Sequence, residues 1–131
     1  NMGKKVLVVD DNPDARLFSS SVVEECGHSP LEATNGDEGL EMAKANKPAL
    51  IILDVLMPKQ SGLRMYREIM QAKSLKHIPI IMLSGVAKKT FLRSQKALTE
   101  FGGVKVPEPE VYLEKPVESE KLTSVIKKIL A

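Results

Sequence analysis

The feature that most constrains this chain is a set of short, unbroken apolar runs, rich in β-branched residues and closed by turn formers. They cover residues 6–9, 50–53 with an extension to 55, 78–83 and 111–113. A strand with one wetted face alternates apolar and polar side chains. A run without alternation needs cover on both faces, as strands of a parallel sheet have. Residues 29–33 form a weaker candidate between the first and second runs.

Helical patterns fill the gaps. Asn12-Pro13 supplies a cap and a proline at the first helical position, and Ala15, Phe18, Val22 and Cys26 follow at helical spacing. Gly27 then closes the helix, because glycine accepts the left-handed conformation past a C-terminus. A second helix is predicted over 37–45, with Pro48 soon after it. A third over 61–72 carries Leu63, Tyr66 and Met70 on one face, and a fourth over 88–100 stops at Gly102-Gly103. The last starts near Ser119 and places Leu122, Val125, Ile126, Ile129 and Leu130 on one stripe. Strictly alternating strands and helices predict an α/β domain with right-handed crossovers and helices on both faces of the sheet.

The length of 131 residues suits one domain, expected over 4–131. Asn1 before Met2 reads as a cloning remnant, and residues 1–3 are expected to be disordered. A net charge of +2 gives no reason to expect nucleic acid or a membrane surface as partner. No apolar run approaches the roughly 18 residues of a membrane span. The single Cys26 excludes an internal disulfide framework and a multi-cysteine metal site, so a reduced cytoplasmic domain is expected. Cys26 itself reads as core. His28 and His77 read as loop residues, and Lys88-Lys89 and Lys127-Lys128 as solvated helix faces. Neither phosphate-binding glycine loop is present, so nucleotide binding has no motif support.

In a doubly wound sheet, ligands bind beyond the carboxyl ends of the strands. There the chain places Asp10-Asp11 after the first strand, Asp54 after the third, Ser84-Gly85 after the fourth and Lys115-Pro116 after the fifth. Taken singly, Asp10-Asp11 could be a capping turn, Ser84 a turn residue and Lys115 a surface charge. Asp54, directly after Ile51-Ile52-Leu53, is harder to explain that way, since burying a carboxylate costs several kcal/mol unless something pairs with it. Three crowded carboxylates demand a cation, and an all-oxygen site suits Mg²⁺, with Mn²⁺ as a substitute. A carboxylate beside a divalent cation and a lysine can attack a phosphoryl group, with the Ser84 hydroxyl donating to one of its oxygens.

These residues make the chain resemble a response-regulator receiver domain, the phosphoacceptor half of two-component signalling. The likeness lies in Val6-Leu7-Val8-Val9-Asp10-Asp11-Asn12, in Asp54-Val55-Leu56-Met57-Pro58 with Ser61-Gly62, in Ile80-Ile81-Met82-Leu83-Ser84-Gly85 and in Tyr112-Leu113-Glu114-Lys115-Pro116. The resemblance implies a flavodoxin-like five-stranded parallel sheet of order 2-1-3-4-5 flanked by five helices. It implies phosphorylation at Asp54 and Mg²⁺ held by Asp10, Asp11, Asp54 and the backbone carbonyl of Leu56. Lys115 would contact the phosphoryl group through a chain turn containing a cis bond to Pro116. Ser84 and Tyr112 would form the switch pair, the hydroxyl moving toward phosphate and the ring turning inward behind it. The implied donor is a histidine kinase or histidine phosphotransfer protein. The reader of the signal would be a downstream target or an output domain outside this chain, with the domain a monomer or a phosphorylation-dependent dimer.

Two departures stand out. Lys115 follows Ser84 by 31 positions, more than such domains usually have, and the excess falls in the two-proline stretch 102–110, expected as an extended surface loop. Leu56 and Val86 stand where the family flanks the path of hydrolytic water; both are apolar, so slow self-dephosphorylation is expected. The competing readings are a Mg²⁺-dependent phosphohydrolase working through an aspartyl phosphate, and a degenerate receiver that only binds partners. The first lacks a second acid–base carboxylate near Asp54, and the intact set Asp10, Asp11, Asp54, Ser84 and Lys115 counts against the second. The chain is therefore expected to act as a signalling switch, not an enzyme.

Overall fold

A computed structural model describes residues 3–55 and 61–131. Asn1 and Met2, at the expected disordered end, and the expected carbonyl ligand Leu56 lie outside the described residues. The elements run β1 (Lys5–Val9), α1 (Pro13–Glu25), β2 (Ser29–Ala33), α2 (Gly36–Asn46), β3 (Leu50–Val55), α3 (Ser61–Gln71), β4 (Ile80–Ser84), α4 (Lys88–Glu100), β5 (Val111–Glu114) and α5 (Ser119–Ile129). All strand pairs are parallel and the sheet order is β2-β1-β3-β4-β5.

The unbroken apolar runs divide cleanly by parity. Val6, Val8, Leu50, Ile52, Ile81 and Leu83 face α1 and α5, packing with Val22, Val23, Leu122 and Ile126. Leu7, Val9, Ile51, Leu53, Ile80 and Met82 face the other way, against Ala43, Met65, Tyr66, Ile69 and Phe91 of α2, α3 and α4. β1, β3 and β4 thus serve two cores at once, which is why residues 6–9, 50–53 and 80–83 are all apolar.

Local chemistry sets the ends of the elements. The Asn12 side chain accepts from Ala15 N at 2.9 Å with Pro13 behind it, and Gly27 takes φ 86° after α1. Asn35 caps α2 by accepting from Glu38 N, while Glu38 reaches back to accept from Thr34 N. The run expected from residue 78 begins as strand only at Ile80. Pro79 lacks the N–H that a ladder position needs, though its carbonyl still accepts from Ile51 N. The apolar face expected on α1 also needs correction. Its buried residues are Ser19, Ser20, Val22 and Val23, whereas Phe18 is 36% exposed. Small serines let α1 lie close to the sheet, and Phe18 projects past it toward the carboxyl end of β1. Cys26 is half-buried against the α1/α5 core. No described helix is long and apolar enough to cross a membrane.

Candidate functional site

β1 and β3 are neighbours in register, Val9 beside Leu53, so the residues that follow each strand emerge side by side. Carboxylate oxygens of Asp10, Asp11 and Asp54 lie within 4.8 Å of one another. Asp10 and Asp54 are buried, at 3% and 7% exposure. Burial pushes the Asp10 carboxyl up to about 6, an Asn12 N–H bond at 2.9 Å opposes the rise, and the Asp54 charge adds to it. The Asp10 carbonyl accepts from Arg16 Nη1 at 2.9 Å, while Arg16 Nε pairs with Glu32 at 3.2 Å, so α1 and β2 both brace the acidic turn.

Lys115 reaches this cluster from the far side. Its Nζ stands 2.5 Å from Asp54 Oδ1, and among the described residues the buried Asp54 Oδ2 has no hydrogen-bond partner. The Lys115 N–H donates to Ser84 O at 2.7 Å, and its bond to Pro116 is cis. A cleft of about 380 Å³, lined by Asp10, Phe18, Leu83, Lys115 and Val117, opens beside Asp10 and Lys115. α3 also closes in on Asp54. A Cβ at Gly62 would lie 3.1 Å from the Asp54 carbonyl oxygen, so only a glycine sits there without strain on its neighbour.

The donor set is what a small hard cation uses: carboxylate oxygens, no sulfur or imidazole, and a buried oxygen left without a partner. Asp10, Asp11 and Asp54 therefore fit Mg²⁺ or Mn²⁺.

Ser84 lies one strand away, paired in register with Val55 and Glu114. It is buried, and its Oγ accepts from Val86 N at 3.0 Å. The Tyr112 hydroxyl donates to Val86 O at 2.5 Å and also interacts with the Ser84 side chain. Burial raises the Tyr112 hydroxyl above its ordinary value. Its ring is tilted against Phe91, centroids 5.3 Å apart. The structure thus brings Asp10, Asp11, Asp54 and Lys115 to one place, as the sequence reading expects, and sets Ser84 and Tyr112 beside each other one strand away.

Two residues are missed by the sequence reading. Arg16 could be found only as a helix cation one turn past the acidic pair. Tyr66 falls on an apolar helix face by its spacing, yet a buried phenol needs a partner for its hydroxyl. That unmet need was the available signal. The partner is the carbonyl of Pro107 in the stretch expected to be a free surface loop.

Comparison with known proteins agrees with this geometry. The response regulator receiver domain family matches residues 6–127. The chain is similar to Protein PilH of Pseudomonas aeruginosa, 29% identical over 97% of this chain and 98% of that protein. It is equally similar to the polar-differentiation response regulator DivK of Brucella anthropi, 29% identical over 98% of each. Among solved structures, the Vibrio cholerae chemotaxis protein CheY4 superposes with a TM-score of 0.77 at 27% identity, covering 98% of this chain and 99% of that one. A parallel sheet of order 2-1-3-4-5, an acidic pocket at its carboxyl edge and a family match over nearly the whole length lead to one assignment: this chain belongs to the response regulator receiver domain family.

Proposed function

We propose that this domain accepts a phosphoryl group on Asp54 from a histidine kinase or histidine phosphotransfer protein and passes the change on through Ser84 and Tyr112. The observation that carries this reading is the buried Asp54 carboxylate, 2.5 Å from Lys115 and grouped with the oxygens of Asp10 and Asp11. In the step, an Asp54 oxygen attacks phosphorus, the new O–P bond forms, and the bond from phosphorus to the donor nitrogen or oxygen breaks. The donor group leaves with its electron pair and takes up a proton. An ionised carboxylate is already a nucleophile, so the site needs no general base. Lys115 neutralises charge on the phosphoryl oxygens, and Ser84, once its hydroxyl turns from Val86 N, donates a hydrogen bond to one of them. Mg²⁺ held by Asp10, Asp11 and Asp54, with the Leu56 carbonyl as a further ligand, would supply additional positive charge there.

The proposed unit is one receiver over 4–131, cytoplasmic, with no direct contact to nucleic acid or membrane. It acts on a downstream target or an output domain, as a monomer or a phosphorylation-dependent dimer. It modifies only itself, so it is a switch and not an enzyme acting on a second molecule.

The test is intact mass after incubation with Mg²⁺ and acetyl phosphate. Addition of one phosphoryl group that persists, and is absent in Asp54→Asn, is the expected result. Rapid multiple turnover would instead establish a phosphohydrolase. No modification under any donor would establish a module that only binds.

A further inference from the structure

Residues 101–110 are not a free loop. Val106 packs on the α2/α3/α4 core and Pro109 is buried. Tyr66 of α3 donates its hydroxyl to the Pro107 carbonyl, and the adjacent Arg67 donates Nη2 to the Val104 carbonyl. Arg67 Nη1 also donates to Gln95 Oε1 of α4 at 2.6 Å. Gly103 N donates to Leu98 O at 2.8 Å, and Lys88 pairs with Glu108 at 3.6 Å on the surface. The segment is therefore strapped across α3 and α4.

The same Tyr66 belongs to a row of rings that ends at the switch. Tyr66 is fully buried and stands edge-on to Phe91, centroids 6.2 Å apart at 68°. Phe91 in turn meets Tyr112 at 5.3 Å. Among the described residues Phe91 is the one residue of α4 that is buried, so the seat of that helix depends on this contact. Packed rings do not move independently. A ring that leaves forfeits the dispersion contacts of its neighbour unless the neighbour follows.

The geometry points to residues 101–110 as a strap whose closure over α3 and α4 is coupled to the position of the Tyr112 ring through the Phe91–Tyr66 row. Tyr66 is the positioning residue, its ring facing the switch and its hydroxyl holding the strap. Closed, the strap roofs a cavity of about 470 Å³ lined by Arg67, Leu92, Gln95, Thr99 and Val106. Open, it bares the half-buried Leu92 and the Gln95 Nε2 group, a buried donor with no hydrogen-bond partner among the described residues. The phosphoryl stimulus rests on the function proposed above; the coupling rests only on these contacts.

Hydrogen exchange of the strap amides separates the two. Tyr66→Phe keeps the ring and removes one hydrogen bond, so exchange at 104–108 is expected to quicken about fivefold. Tyr112→Ala, with Tyr112→Leu in its place should alanine unfold the domain, is expected to quicken the same amides about tenfold through the shared ring row. Combined, the two changes should fall well short of the product of their separate effects, since both act through one row. Exchange within twofold of wild type in the Tyr112 variant, or full multiplication in the double variant, would overturn the coupling. In the presence of Mg²⁺ and beryllofluoride, the strap of the wild type should exchange more slowly and that of Tyr66→Phe should not respond, while Ser84 resonances shift alike in both. A silent wild-type strap beside a shifted Ser84 also overturns the coupling. An unshifted Ser84 counts against the phosphoacceptor reading alone, and the Tyr112 variant still decides the strap.

Discussion

The ends of β1 and β3 and the ends of β4 and β5 lie on the same edge of one sheet but are built on opposite rules. At β1 and β3 three carboxylates crowd together, two of them buried, with an oxygen of Asp54 left without a partner. At β4 and β5 the hydroxyls are matched: Ser84 accepts from Val86 N and Tyr112 donates to Val86 O. The first region holds unfavourable charge that a cation and a phosphoryl group would relieve. The second is a packed network in which the Ser84 and Tyr112 hydroxyls both have partners. Together they suit a switch of the kind proposed above, in which a small change of charge is relayed to a packed neighbour.

The largest effect that would sharpen this contrast is on the packed side. Phe91→Ala removes the ring between Tyr66 and Tyr112, and a loss of about 3–5 kcal/mol in urea unfolding is expected. A loss below about 1 kcal/mol would mean that the ring row is not packed as described. On the charged side, Lys115→Ala should slow phosphoryl uptake roughly 100-fold, about 2.7 kcal/mol, in initial rates from acetyl phosphate. Stability without divalent cation should fall as well, because the buried Asp54 carboxylate loses its paired cation.

Asp10→Asn tests the stored charge itself. The Asp10 carboxyl titrates near 6 in the fold against an ordinary 3.8, so its neutral form favours the folded state. The penalty is absent below about pH 4, grows as pH rises through that window and is complete above about 6. Without divalent cation at pH 7.5, Asp10→Asn is therefore expected to be more stable than wild type, on the order of 2–3 kcal/mol. Calorimetric Mg²⁺ affinity should run the opposite way in wild type and weaken as pH falls below about 6. Destabilisation by Asp10→Asn would contradict the picture of crowded charge.

The phosphorylated form should lose its phosphate slowly, because Leu56 and Val86 offer no polar atom on their side chains to orient water. Acetyl-phosphate-loaded protein is expected to stay modified over minutes, and Leu56→Asn to shorten that time. The smallest effect belongs to the strap's outer ion pair. Lys88→Ala should cost less than about 1 kcal/mol, since Lys88 and Glu108 are both exposed.

What the sequence discloses follows the range of the interactions. The alternation of strands and helices and the carboxyl-edge cluster come from patterns within a few residues, such as Ile51-Ile52-Leu53-Asp54 and Asn12-Pro13, and even the weak run 29–33 lies where expected, whereas the strand order comes only with the family resemblance. The Phe18 error has a different origin. Helical spacing marks an apolar stripe but not where the sheet ends beneath it, so Ser19 and Ser20 are buried while Phe18 overhangs the cleft. The strap was hidden for a third reason. Tyr66 and Pro107 are 41 positions apart and meet through a side chain and a carbonyl, a pairing that no local periodicity encodes. Prolines and glycines at 102–110 mark irregular backbone correctly and say nothing of what it lies against.

The central claim is that Asp54 is the phosphoacceptor, and its most direct measurement is chemical mapping. An aspartyl phosphate, unlike a phosphate ester, is reduced by borohydride to homoserine, so protein loaded with acetyl phosphate and Mg²⁺ can be reduced, digested and sequenced by mass. Homoserine at position 54, lost when Mg²⁺ is withheld, is the expected outcome. Homoserine at Asp10 or Asp11 instead, or none at all with the protein folded and the donor in excess, would contradict it.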